Sequence, residues 1–78
     1  MKPLSTLAVD TPAQVVFIQP DALAPRLVEM GLCSGRQLQV LFRAPFHGPI
    51  AIDLGSSMLS LRLDEAMLVM VEEIGGNV

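Results

Sequence analysis

Tryptophan and tyrosine are absent from this chain, and among its 78 residues stand one cysteine, Cys33, and one histidine, His47. A lone cysteine excludes an intramolecular disulfide and a Cys-rich zinc site, and it suits a reducing compartment. No apolar run approaches the roughly 18 to 20 residues that cross a bilayer. The N-terminus, with only Lys2 ahead of Pro3, lacks the apolar segment and small-residue cleavage site of a secretory signal, so a cytoplasmic location is expected. Basic residues are scarce as well: five Lys and Arg against eight Asp and Glu give a net charge of −3. Counterion release would then favour phosphate backbones little, and no nucleic acid partner is expected. The only aromatics are Phe17, Phe42 and Phe46. Alternation assigns the first two to core-facing stripes, which leaves nothing to line a polyproline groove.

What the chain has is aliphatic density, with 51% of its residues hydrophobic. A domain of this size buries only roughly 60% of the surface its unfolded chain exposes, so that density is required for stability. The length allows one domain, residues 1–78, with an ordered core from about residue 4 to 73 and a frayed tail at 74–78. Ala13 to Ile18 reads as a central strand, apolar on both faces, with Val15 and Phe17 on one and Val16 and Ile18 on the other. Asp21 to Met30 changes period: Leu23, Leu27 and Met30 form one stripe of a short helix, with Asp21 at its start, Pro25 in its first turn and Gly31 as its stop. Leu38, Val40 and Phe42 mark one side of a half-buried strand over 37–43. Two prolines and a glycine make Ala44 to Pro49 a loop. Ile50, Ile52 and Leu54, then Leu59, Leu61 and Leu63, continue the period of two. A helical turn at Asp64 to Ala66 precedes a last strand over Met67 to Glu72, with Val69 and Val71 inward.

Five short strands with one helix after the first predict a mainly β protein, a small SH3-like barrel in which closure removes edges. The barrel carries little chemistry. His47 in the proline-rich loop and Cys33 in the turn after the helix are the candidate metal ligands, for iron or zinc, although one ion needs three or four. The plainer readings are a polar loop residue and a small half-buried hydrophobe, and no cofactor is required. Arg26, Glu29, Asp64 and Glu65 form no converging acid–base set, so the chain is not expected to be an enzyme. An excess of apolar residues remains on the outward side: Val16, Ile18, Leu41, Met58, Met67, Leu68 and Met70. Those not covered by the helix would form a patch suited to a partner. Leu41, Phe46, Met58 and Met70 are the candidate contact residues.

One ordered set of residues resembles a known family: Arg26-Leu27, Met30-Gly31-Leu32 and Gly35, then Pro45-Phe46 and Pro49-Ile50, then Leu61-Arg62 and Glu65-Ala66. It is similar to the ferrous iron transport protein A (FeoA) family over roughly Leu4 to Val71. The resemblance implies an SH3-like barrel that serves ferrous iron uptake in the cytosol as an accessory of the membrane transporter FeoB. It also implies likeness to the C-terminal domain of iron-dependent repressors, so a metal-sensing regulatory barrel is the alternative. With the first strand reached within about a dozen residues of Met1 and no helix-turn-helix ahead of it, a stand-alone accessory is expected. Pairing with a second copy of the chain is a further possibility that the apolar excess leaves open.

Overall fold

The structure is a computed structural model, and it describes residues 1–75. Among these, six strands form one antiparallel sheet in the order β1-β6-β2-β3-β4-β5. They are β1 (Lys2–Pro3), β2 (Ala13–Ile18), β3 (Gln37–Arg43), β4 (Ile50–Asp53), β5 (Met58–Leu61) and β6 (Val69–Glu73). Two short helices interrupt them, α1 (Ala24–Glu29) and α2 (Leu63–Ala66). β3 belongs to both halves of the sheet: its first residues pair with β2, as Ala13 with Leu38, and the rest pair with β4. That sharing bends the sheet around one core, which Val15, Val40, Ile50, Ile52, Leu61, Val69 and Val71 fill at 1% exposure or less.

The sixth strand comes from the N-terminal segment, which the sequence reading left without structure. Lys2 and Pro3 pair with Val71 and Met70 of β6, and Leu4 and Leu7 then turn fully into the core from a 3₁₀ turn spanning Leu4–Thr6. Their spacing of three is that of a single 3₁₀ turn. The last strand begins later than Met67, because α2 carries the chain as far as that residue as its exposed C-cap. Ile74, at the end of β6, donates its N–H to the carbonyl of Pro12 at 3.1 Å. The remainder of the tail expected to fray, 76–78, lies outside the described residues.

Helix α1 is shorter than Asp21 to Met30. Leu23 is its N-cap, while Asp21 sits in the turn ahead and accepts the N–H of Leu23 at 2.9 Å. Pro25 falls in the first turn, where its missing N–H is harmless. The helix ends in a Schellman motif: Leu32 N–H donates to Leu27 O at 3.1 Å and Gly31 N–H to Val28 O at 2.9 Å. Gly31 adopts φ 103°, a conformation open to glycine, and the accompanying apolar contact is made by the fully buried Leu27 and Leu32.

Two β-bulges decide which side chains reach the core. In β2 the register against β6 shifts between Val15 and Phe17, so Val16 is the extra residue. In β3 the register against β4 shifts between Val40 and Phe42, and Leu41 is extra. Each bulge exchanges the faces beyond it. Phe17 and Phe42, which strict alternation assigns to the core, are 42% and 60% exposed, while Ile18, assigned outward, packs against the core. Leu68 also packs there. Arg43 stays exposed but takes the face of its partner Ile50, and its guanidinium donates to the carbonyls of Ser5, at 2.6 Å, and Leu7.

Glu65 is the one buried charged residue among those described, at 3% exposure. Its Oε1 accepts the Arg62 N–H at 2.9 Å, half of a capping box that starts α2, and its Oε2 lies 3.9 Å from Nη1 of the exposed Arg26 on α1. The cap is the stronger of these contacts, since an ion pair with one exposed partner is screened. Glu65→Ala is therefore expected to cost about 1–2 kcal/mol and Arg26→Ala less than about 0.5 kcal/mol. Urea titration of the two variants checks this order, and equal losses would show that the ion pair dominates.

Candidate functional site

The β3–β4 hairpin projects Phe46, the most exposed large apolar residue among those described. At its tip Ala44 N–H donates to Pro49 O at 2.9 Å, and Gly48 N–H donates to Pro45 O at 3.2 Å. The turn so closed has Phe46 and His47 at its centre with φ 58° and 59°. Two positive angles in succession define a type I′ turn, normally built from Asn-Gly or Gly-Gly because side chains strain it. Gly48 cannot be replaced without displacement, since a Cβ there would lie 2.8 Å from the Ala44 Cβ. Phe46 is thereby held at 97% exposure, with no contact of its own to recover the strain.

Below the tip, cross-strand register aligns the outer face of the sheet. Phe42 lies opposite Ala51, and Ala51 opposite Ser60; one step on, Gln39 lies opposite Asp53 and Asp53 opposite Met58. Met58 is 71% exposed, and Leu41 is half-buried at the bulge. Three of the four expected contact residues, Leu41, Phe46 and Met58, thus fall on the β3–β4–β5 half of the sheet or its hairpin. Met70 does not. It pairs with Phe17 and Pro3 on the other half, and its sulfur accepts from Gln19 Nε2 at 3.3 Å. Phe42 is the residue that alternation missed. The signal for it was the unbroken run Val40-Leu41-Phe42, which a half-buried strand cannot accommodate without a bulge.

The two expected metal ligands are kept apart. Cys33 precedes β3 and His47 follows it, at opposite ends of a strand that spans roughly 20 Å. Both are exposed, so Cys33 is not the half-buried hydrophobe that its place after the helix suggested; Gly31 and Gly35 fold the turn outward, and its Sγ reaches only Gly31 O at 3.9 Å. Among the described residues no three His, Cys, Asp or Glu side chains gather around a common point. A shallow cleft of about 220 Å³ opens at the start of β3 beside Pro12, Gln37, Gln39, Asp53, Gly55 and Ile74. Its single carboxylate, Asp53, already accepts the Gly55 N–H at 2.7 Å, and no second titratable group faces it there. No described helix is long and apolar enough to cross a membrane.

The model of the FeoA domain matches residues 2–73, nearly the whole chain. This chain belongs to the FeoA family. Its fold is the SH3-like one of solved relatives. The iron(II) transport protein A of Clostridium thermocellum superposes with a TM-score of 0.85 at 33% identity, over 95% of this chain and 46% of that one. A FeoA-like protein of Clostridium acetobutylicum reaches 0.87 at 27% identity, over 99% and 91%. The Stenotrophomonas maltophilia FeoA, solved in complex with zinc, reaches 0.79 at 31% identity, over 92% and 91%. That protein is described as a prokaryotic SH3 domain protein and a candidate ferrous iron transport activating factor. The chain thus spans about half the length of one of these relatives and about nine-tenths of the other two. No curated protein matches the sequence at a significant level.

The strained tip has a measurable consequence. Replacing Phe46-His47 by Asn-Gly removes two unfavourable backbone conformations and is expected to stabilise the fold by about 1–2 kcal/mol, visible as a higher melting midpoint. An unchanged or lower midpoint would show that the tip is held without strain.

Proposed function

We propose that this chain is a cytosolic accessory of ferrous iron uptake that acts by binding the FeoB transporter, with the outer face of β3–β4–β5 as its contact surface. Family membership supports the iron-uptake role, and relatives bearing the names of ferrous iron transport point the same way. One observation carries the docking surface: Phe46, 97% exposed, is held on a costly turn at the end of the same half-sheet whose outer face shows the exposed Phe42 and Met58. A large aromatic carried out from the fold on a constrained backbone is what fills a pocket on a partner. Binding is the mechanism in this reading, and the G domain of the transporter, which faces the cytosol in this family, is the accessible target.

The contact set is Leu41, Phe42, Phe46 and Met58; Met70, on the other half of the sheet, lies outside it. Phe46→Asp and Met58→Asp are each expected to weaken binding to detergent-solubilised FeoB at least about tenfold, as burying an unpaired charge costs more than about 1.4 kcal/mol. Met70→Asp should leave binding unchanged. The variants' far-UV spectra should match that of the parent. Binding that survives the first two changes and fails with the third would move the contact to the β1–β6–β2 half.

The zinc complex of the Stenotrophomonas relative favours a second reading, a metal-sensing barrel that uses His47 or Cys33. Their separation argues against one shared site within a chain. Equilibrium dialysis with ferrous and zinc ions is expected to give no stoichiometric high-affinity binding. A stoichiometric site that His47→Ala or Cys33→Ser abolishes would put the sensor first.

A further inference from the structure

The two edges of the sheet differ in how they are guarded. β1 is two residues long and contains Pro3 and Lys2, both of which discourage pairing. β5 has neither safeguard: Leu54 to Leu61 holds no charge and no proline. The hydrogen-bond phase of β5 follows from its turn. Leu54 N–H donates to Ser57 O at 2.9 Å, so in the alternating antiparallel ladder Ile52/Leu59 and Ile50/Leu61 are the bonded pairs. The other hairpin gives the same phase, because the Ala44–Pro49 bond makes Phe42/Ala51 a bonded pair and turns the polar groups of Ala51 toward β3. The N–H and C=O groups of Met58 and Ser60 therefore point away from β4. No backbone hydrogen bond reaches them from another element among the described residues. Beyond Leu61 the edge closes, since Glu65 takes the Arg62 N–H and Ala66 donates to the Arg62 carbonyl.

We infer that β5 is a self-association edge, on which a second copy of this chain pairs antiparallel through its own β5 about a two-fold axis at Leu59. The open groups are self-complementary in that register. Met58 of one copy faces Ser60 of the other, each pair exchanges two bonds, and all four N–H and four C=O groups of the two edges are used. Leu59 meets its symmetry mate at the close, non-bonded spacing of roughly 4.5 Å between Cα atoms, so the half-buried leucines cover each other. An isologous contact of this kind closes at two copies. The absence of charge along the strand permits a second copy as the occupant, and the self-complementary register favours it. In a chain of net charge −3, this edge brings two copies together with no like charges directly opposed. The outer faces of the two sheets then become continuous, so that one dimer presents the Phe42–Met58 surface twice.

Sedimentation equilibrium of the full chain in reducing buffer, which excludes a Cys33 disulfide, tests the inference. A reversible monomer–dimer equilibrium is expected, with amide exchange at Met58 and Ser60 slowing as concentration rises. Ser60→Pro removes only outward N–H groups, two of the four intermolecular donors, and should weaken the dimer by about tenfold or more. Should proline disturb the strand, Ser60→Lys keeps every backbone bond and guards the edge with charge, and it should weaken the dimer in the same way. A chain monomeric to millimolar concentration overturns the inference, and so does a dimer in which the Met58 and Ser60 amides still exchange freely or which both substitutions leave intact.

Discussion

One extra residue in each of two strands governs what this domain buries and what it shows. A strand repeats every two residues, so a single insertion reverses the fate of all side chains beyond it. At Leu41 the reversal has two linked effects. Phe42 leaves the core, and Arg43 turns toward the N-terminal segment, where its guanidinium meets the carbonyls of Ser5 and Leu7. Those carbonyls belong to the segment that delivers Leu4 and Leu7 into the core. The bulge that exposes an aromatic thus also anchors the chain's beginning, and the surface and the core cannot be altered independently at that point.

Regular alternation was legible over β4, most of β5 and the core of β6, although the expected stripe of Leu59, Leu61 and Leu63 breaks at Leu63, which opens α2. Ile50 and Ile52 point inward and sit opposite Leu61 and Leu59 across β4 and β5, and Val69 and Val71 are fully buried. The helix stop at Gly31 could be read because only glycine adopts its φ of 103° cheaply. What could not be read was the side on which a run of three or four apolar residues resolves itself. Val15-Val16-Phe17-Ile18 fits a two-faced central strand and a bulged strand equally well, and the choice depends on β6, which is more than 50 residues distant in the chain. The N-terminal strand was illegible for a related reason: two residues carry no period, and β1 exists only because β6 offers it an edge.

The candidate surface was half legible. Exposed methionine at position 58 and the phenylalanine of a proline-rich loop follow from pattern and turn chemistry, but Met70 was assigned to the same surface through outward parity alone. Parity says which side of a sheet a residue occupies, not which half of a bent sheet. Because β3 serves both halves, outward residues on β6 and on β5 face different directions, and only the register separates them.

The arrangement also explains why so small a domain can hold a strained turn. Its core is built from aliphatic side chains that need no hydrogen-bond partner, and no buried side-chain nitrogen or oxygen among the described residues is left unsatisfied. Stability from that core is local to the strands, whereas the cost of Phe46 and His47 is confined to a hairpin tip braced by only two backbone bonds. A glycine at either position would relax the turn and remove the side chain, so backbone relief and aromatic display exclude each other at Phe46. A phenylalanine on such a turn is in keeping with the docking role proposed for the hairpin tip. The strain fixes the backbone that carries the ring, so the direction in which Phe46 leaves the hairpin is set before any contact, while the side chain keeps its own rotation.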